Sequence, residues 1–352
     1  MADPARLAQF VDKMVTDLGA ALGVSLVRIG DRLGLYRALH EFGPMTPAEL
    51  AAKARIAERY AREWLCHQAA SGYLSYDPAT LRFTLSPEQA MVLAEPESPV
   101  FLMGGFDSAA AMAENAEAVE AAFRTGKGVA WSEQPPCAVC ASARFFRPTY
   151  HNNLVASWLP ALEGVAAKLE AGAMVADVGC GHGVSTVIMA ASFPNSTFVG
   201  YDFHPESIIQ ARSHAAAHGV TGNTRFEVAL ADDFPGHEDY DLITFFDCLH
   251  DMGDPVGAAR HVRETLKPDG TWMIVEPAAG DRLEDNLTPV GRICYAASAM
   301  VCVPTSLAQP VGAALGAQAG FEKLSAAVGE GGFGRVRKAI ETPFNMILEA
   351  RR

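Results

Sequence analysis

Apolar residues recur at spacings of three and four from Pro4 to about Leu39, at Leu7, Phe10, Val11, Met14, Val15 and Leu18, then at Leu22, Leu26, Ile29 and Leu33. This is the period of one face of an α-helix, and it predicts two consecutive helices. In Thr46-Pro47-Ala48-Glu49 a hydroxyl can cap a helix that starts with proline, and Glu49 can close a capping box. A further helix carries Tyr60, Trp64, Leu65 and His67 as far as Gly72. Tyr73–Tyr76, the polar Asp77–Thr80 and Leu81–Leu85 then read as strand, turn, strand. Helix, helix and a two-stranded wing compose a winged helix-turn-helix. Residues 87–170 read as mostly helical, interrupted by a Gly- and Pro-containing loop from Gly126 to Pro136.

From Met174 the pattern becomes one of short apolar runs separated by helices. The runs are Met174–Val178, Thr197–Tyr201, Arg225–Leu230, Leu242–Phe246 and Thr271–Val275. Strands alternating with helices predict a parallel α/β sheet, on which ligands bind at the carboxyl ends of the strands. The candidate chemistry falls there. Asp177-Val178-Gly179-Cys180-Gly181-His182-Gly183 follows the first run, and its glycines let a ligand approach the backbone. A dinucleotide loop would place its third small residue at position 184, which is Val, so an oxidoreductase reading loses ground. Asp202, ending the second run, can accept hydrogen bonds from both hydroxyls of a ribose. After the third run, Asp232 or Asp233 can take an adenine amino group, and Phe234 can lie against the ring.

Together these motifs resemble the class I S-adenosylmethionine-dependent methyltransferases. Leu266-Lys267-Pro268-Asp269-Gly270 and the closing runs Phe333–Ile340 and Phe344–Ala350 add to the likeness, which covers roughly Pro148 to Arg352. The resemblance implies a Rossmann-like seven-stranded sheet preceded by a mainly helical winged-helix domain. Residues 1–147 would serve dimerisation and form a substrate roof, and residues 148–352 would be catalytic. It implies S-adenosylmethionine as cofactor, with S-adenosylhomocysteine as product. Cys180, Phe203, Phe246 and Asp247 join Asp177, the three glycines, Asp202, Asp232, Asp233 and Phe234 as expected cofactor neighbours.

The segment Asp247-Cys248-Leu249-His250-Asp251-Met252-Gly253-Asp254 is similar to the His-Asp-Trp-x-Asp segment of the small-molecule O-methyltransferases, with Met252 in place of Trp. In that family the His takes the acceptor proton and a Glu at the end of strand five orients it, which puts His250 and Glu276 in those roles. Asp251 is left as a helix cap or a substrate contact. A hydroxyl attacks a methyl carbon far better as its proton leaves, and histidine titrates near working pH. The apolar segment Leu287–Gln309, with Tyr295, Met300 and Val303, matches an acceptor lid or a buried helix.

Composition trims the alternatives. With 28 Lys and Arg against 41 Asp and Glu, the net charge is −13, opposite in sign to that of a nucleic-acid binder. The helix that would read DNA mixes Glu58, Arg59, Arg62 and Glu63. A ligand-sensing winged-helix transcriptional regulator is the alternative reading. No secretory leader and no uninterrupted apolar run of about 18 residues stands out, so a cytoplasmic protein without a membrane partner is expected. Seven cysteines scattered through the chain fit reduced thiols, and Cys137–Cys140 lacks the second pair of a metal knuckle. No magnesium-holding carboxylate cluster stands out, so no metal is expected. The expected partners are a small-molecule acceptor and a second copy in a homodimer.

Overall fold

A computed structural model describes residues 2–352, apart from the side chains of Pro136, Cys137 and Val139; the Cys137–Cys140 pair thus lies partly outside the described residues. The chain divides into two compact units, one made of residues up to Ala111 with Arg144–Pro148, the other of Met112–Ala143 with Thr149–Arg352.

In the first unit, α1 (Pro4–Arg32) starts where the Asp3 carboxylate accepts the amides of Ala5 and Arg6 and Pro4 sets the first turn. Gly34, in the left-handed region at φ +69°, separates it from α2 (Leu35–Phe42), so the long periodic run is two helices. Thr46 and Glu49 form the expected capping box at the head of α3 (Pro47–Ala54). Helix α4 (Glu58–Ala70) and the antiparallel pair β1 (Ser75–Asp77) and β2 (Arg82–Thr84) complete the winged helix, and Arg82 clasps Glu49 to tie the wing to α3. Its core gathers Val27, Leu35, Leu39, Leu50, Trp64, Leu65 and Phe83. Two polar bonds sit inside it: Trp64 Nε1 donates to the Leu26 carbonyl at 2.9 Å, and the Tyr36 hydroxyl donates to Gln68 Oε1 at 2.7 Å. Helix α5 (Pro87–Leu93) packs against α2, and α6 (Met103–Glu114) carries Asp107, which with Asp31 flanks Arg144.

In the second unit, α7 (Ala116–Thr125), α8 (Pro136–Asn153) and α9 (Val165–Ala171) lead to a seven-stranded sheet. Its strands are β3 (Met174–Val178), β4 (Thr197–Asp202), β5 (Thr224–Val228), β6 (Tyr240–Phe246), β7 (Leu266–Pro277), β8 (Arg335–Glu341) and β9 (Asn345–Arg351). Their order is β5-β4-β3-β6-β7-β9-β8, with β9 antiparallel to both neighbours and the other pairs parallel. Helices α10 (Val184–Ser192), α11 (Pro205–Ala217), α12 (Pro255–Thr265) and α15 (Gly320–Glu330) alternate with the strands. Central strands flanked by such crossovers are buried on both faces, which is why β3, β6 and β7 read as continuous apolar runs. The strand order reverses between β3 and β6, and the crevice at their carboxyl ends is where a ligand is expected on such a sheet.

Between β7 and α15 run α13 (Pro289–Ala297), a five-residue π turn (Ser298–Cys302) and α14 (Val303–Leu307). Pro304 stands in the first turn of α14, directly after the π turn, where a proline is tolerated, and the helical path continues through it. Residues Pro289–Leu307 are thereby long and apolar enough to cross a membrane by length and composition alone, with a third of that window buried inside the protein.

The Tyr36–Gln68 bond yields a stability test. Tyr36→Phe strands a fully buried amide oxygen, and should lower unfolding free energy by about 1–3 kcal/mol. Urea denaturation should show a lower midpoint at unchanged slope; an unmoved midpoint would mean that water or a neighbour replaces the hydroxyl.

Candidate functional site

The turn after β3 is held by its own backbone. Gly179, Gly181 and Gly183 all have positive φ, at 72°, 51° and 71°. A Cβ at Gly179 would meet Cys248 Sγ at 2.8 Å, and one at Gly183 would meet the Phe226 ring at 2.8 Å, so these two are required by close packing. A Cβ at Gly181 would enter open space, which makes position 181 the side that a ligand can approach. Four amides of the turn are already engaged. Gly179 and Cys180 donate to the Tyr201 carbonyl, Gly183 to that of Cys180, and Gly181 to Asp202 Oδ2 at 2.8 Å. A loop that cradles phosphates leaves such amides free for the anion. Here three of them go to β4 and the fourth closes the turn on itself.

Asp177 does not face the crevice. It is fully buried and accepts hydrogen bonds from Ser185 and Thr186 at the head of α10 (2.7 and 2.5 Å) and from Thr244 of β6 (2.9 Å). Burial pushes its carboxyl up to about 6 against the pull of those hydroxyls. Its part is to hold the turn's two ends together. Cys180 is buried as well.

At the end of β4, Asp202 accepts the Gly181 amide on one oxygen and the His204 amide on the other, and burial raises its carboxyl above the ordinary range. The next side chain, Phe203, is 45% exposed and offers a free aromatic face. Phe234 differs from the expectation. It is 1% exposed, packed edge-on against His261 and tilted against Tyr201 within the main core, so its ring has no face left for a base. Asp232 and Asp233 beside it are exposed.

Beyond β6 the chain enters a strained turn. Asp247 has φ +50°, and its amide donates to the Val275 carbonyl at 2.7 Å. Its carboxylate accepts the Tyr150 hydroxyl at 2.6 Å and the Asn345 amide at 3.0 Å. Burial pushes Asp247 up to about 7, with the Tyr150 bond opposing and the nearby Glu276 adding to the rise. Phe246 stacks at a tilt on Tyr150. Tyr150 and Asn345 come from distant parts of the chain; Tyr150 was legible only as one of several aromatic residues in a helical region.

One turn further on, Glu276 and His250 meet. Glu276, at the end of β7 and 1% exposed, accepts the Leu249 and His250 amides on Oε1. Its Oε2 lies 2.5 Å from His250 Nδ1. The second ring nitrogen, Nε2, lies 3.3 Å from Cys302 Sγ, and the histidine is 4% exposed. Burial works against the imidazolium, yet the Glu276 carboxylate and the Cys302 sulfur outweigh it and raise His250 well above the histidine range. Asp251 is not the cap of α12; Asp254 fills that place by accepting the Gly257 amide at 2.7 Å. The Asp251 carboxyl is pushed up to about 7 by burial, with His250 opposing and Glu276 and Asp202 adding to it. Among the described residues, no group of three or more His, Cys, Asp or Glu side chains is placed to hold a metal ion.

Comparison with known proteins bears on the domains and the fold. Residues 169–314 match the model of a methyltransferase domain, and residues 20–95 match that of the Rv2258c-like winged HTH domain. A curated relative, the ubiquinone biosynthesis O-methyltransferase of Xanthomonas euvesicatoria, is 37% identical over 116 residues, 32% of this chain and 47% of that protein. The chain thus spans about half the length of the curated relatives it matches. Solved structures share the fold along nearly the whole chain. An O-methyltransferase family protein from Burkholderia thailandensis is 19% identical, with a TM-score of 0.68 over 100% of this chain and 98% of its own. Human N-acetylserotonin methyltransferase, in complex with S-adenosylmethionine, is 17% identical, with a TM-score of 0.70 over 99% and 98%. The chain thus carries a methyltransferase domain over residues 169–314, built on the seven-stranded sheet, and an N-terminal winged helix-turn-helix domain over residues 20–95.

Proposed function

We propose that this chain moves a methyl group from S-adenosylmethionine to a hydroxyl of a small hydrophobic or aromatic acceptor, with His250 as general base. The observation that carries the reading is the buried Glu276–His250 pair at the carboxyl end of the sheet, one strand from the glycine turn. Glu276 takes the proton side of Nδ1 and leaves Nε2 as the atom that can receive an acceptor proton.

The residues present suit that cofactor. Gly181 leaves room at the turn, Asp202 has lone pairs for two ribose hydroxyls, Phe203 offers a flat apolar face and Asp232 or Asp233 can meet an adenine amine. Asp202, Asp247, Asp251 and Glu276 gather carboxylates without a lysine or arginine among their described ion pairs, a setting that favours a cationic ligand over a pyrophosphate. When bound, S-adenosylmethionine supplies an electrophilic methyl carbon on a sulfonium. The chain's share is to hold the acceptor oxygen in line and to remove its proton. We place the catalytic part in residues 148–352.

Calorimetric titration with S-adenosylmethionine, S-adenosylhomocysteine and NAD tests the cofactor. Both sulfur compounds should bind and NAD should not, and Asp202→Ala should weaken binding by tenfold or more. Binding of NAD alone would overturn the reading. For the base, His250→Gln should lower kcat by roughly 10²–10⁴-fold with cofactor affinity nearly intact. An unchanged kcat would remove His250 from the mechanism.

We infer that the first unit serves dimerisation. Leu7, Phe10, Val11, Met14, Val15, Leu18 and Leu22 are all exposed along α1, an apolar stripe of about four turns. A second copy offers an identical stripe, and an isologous pairing would cover both. On the exposed face of α4, Arg59 pairs with Glu63, leaving a mixed face there. Phe10→Glu with Leu18→Glu should convert a dimer into a monomer in size-exclusion chromatography with light scattering; a monomeric parent protein would overturn the inference.

A further inference from the structure

The lid segment carries a polar stripe that faces the His250 loop. Ser306 Oγ donates to the Met252 carbonyl at 2.7 Å, and Gln309 both accepts the Gly253 amide at 3.0 Å and donates to the Asp251 carbonyl at 3.1 Å. Cys302, one turn earlier, brings its sulfur to 3.3 Å from His250 Nε2. The contact is therefore built: two anchors fix α14 to the loop on which the histidine stands. Thr305, three residues after Cys302 and on the same helical side, is 3% exposed and its hydroxyl has no protein partner. Among the described residues this stretch thus has unused hydrogen-bonding capacity about one helical turn from Cys302.

We propose that Cys302 is a positioning residue that occupies the reactive nitrogen of His250 in the acceptor-free protein and is displaced by the acceptor hydroxyl. The proposal rests on the reading of His250 as the base. Nε2 has one lone pair, and against Cys302 it is taken by the thiol proton, whichever of the two atoms holds it. Where the ring holds the proton, turnover returns it to sulfur, an Nε2–H bond breaking and an S–H bond forming as the thiol moves off; where sulfur holds it, the thiol leaves with its own proton. The freed lone pair then takes the proton of the acceptor O–H while its oxygen attacks the methyl carbon. A base held in this way is not left open to water in the resting protein, and the π turn at Ser298–Cys302 is the segment whose adjustment would withdraw the sulfur.

The charged and titratable groups around the ring are Glu276 from β7, Asp247 and Asp251 from the same loop, and Cys294 and Cys302 from the lid. Of these, Cys302 lies within hydrogen-bond distance of Nε2, so its removal reads out that contact. The test is nitrogen NMR of full-length protein labelled with ¹⁵N in the histidine rings, titrated with pH. In Cys302→Ala, His250 should lose its proton at a pH lower by about one unit or more, since a partner favouring the charged ring is gone. Cys302→Ser should restore part of the difference. Unchanged thermal stability and S-adenosylhomocysteine binding would exclude misfolding of the variants. A His250 titration identical in parent and Cys302→Ala overturns the proposal while leaving the histidine free to be the base. A shifted titration together with an unaltered kcat in His250→Gln removes the base reading, and the proposed displacement falls with it.

Discussion

A single buried carboxylate organises the catalytic end of the sheet. Asp177 stands on β3, next to the central strand, and gathers hydroxyls from the first turn of α10 and from β6, that neighbour. An ionised group in that position is costly, and the three donors offset much of the cost, as its moderate rise to about 6 reflects. Because those donors come from both sides of the point where strand order reverses, the carboxylate fixes how the glycine turn leaves β3. With the turn in place, the Gly181 amide reaches Asp202, and β4 is brought into register with the site. Asp177 therefore holds the turn, and through it the Gly181 amide against Asp202.

The second centre has a similar logic. Glu276 spends one oxygen on the two amides that shape the His250 loop and the other on the imidazole itself. The same side chain thus sets where the histidine stands and which of its nitrogens points away from the carboxylate. Asp247, held by Tyr150 and Asn345, closes the floor between the two centres at the price of a left-handed backbone at a non-glycine residue. Rare backbone conformations of this kind persist where surrounding bonds over-determine them, and here three do.

Features carried by local sequence were legible in advance. The capping box at Thr46, the alternation of strands and helices after Met174, the glycine turn and the closing hairpin depend on residues close in the chain, and the structure has them where the pattern put them. What escaped were choices made by the tertiary environment. Nothing local distinguishes Phe203, which faces outward, from Phe234, which turns into the core. The expectation that Asp177 would meet a ligand could not foresee hydroxyls 8, 9 and 67 residues away. Cys302 lies 52 residues from His250 in an unremarkable apolar stretch, and only packing brings them together.

The π turn before α14 also bears on how a chain of this fold can diversify. An α-helix advances about 100° per residue, so the surplus residue in the turn rotates everything after it by that amount relative to an unbroken helix. Loss or gain of one residue between Ser298 and Cys302 would present a different column of side chains to the His250 loop while α13 and the sheet stayed as they are. Chain length, and not only residue identity, is therefore a variable by which the surroundings of the histidine can be rewritten in a single evolutionary step.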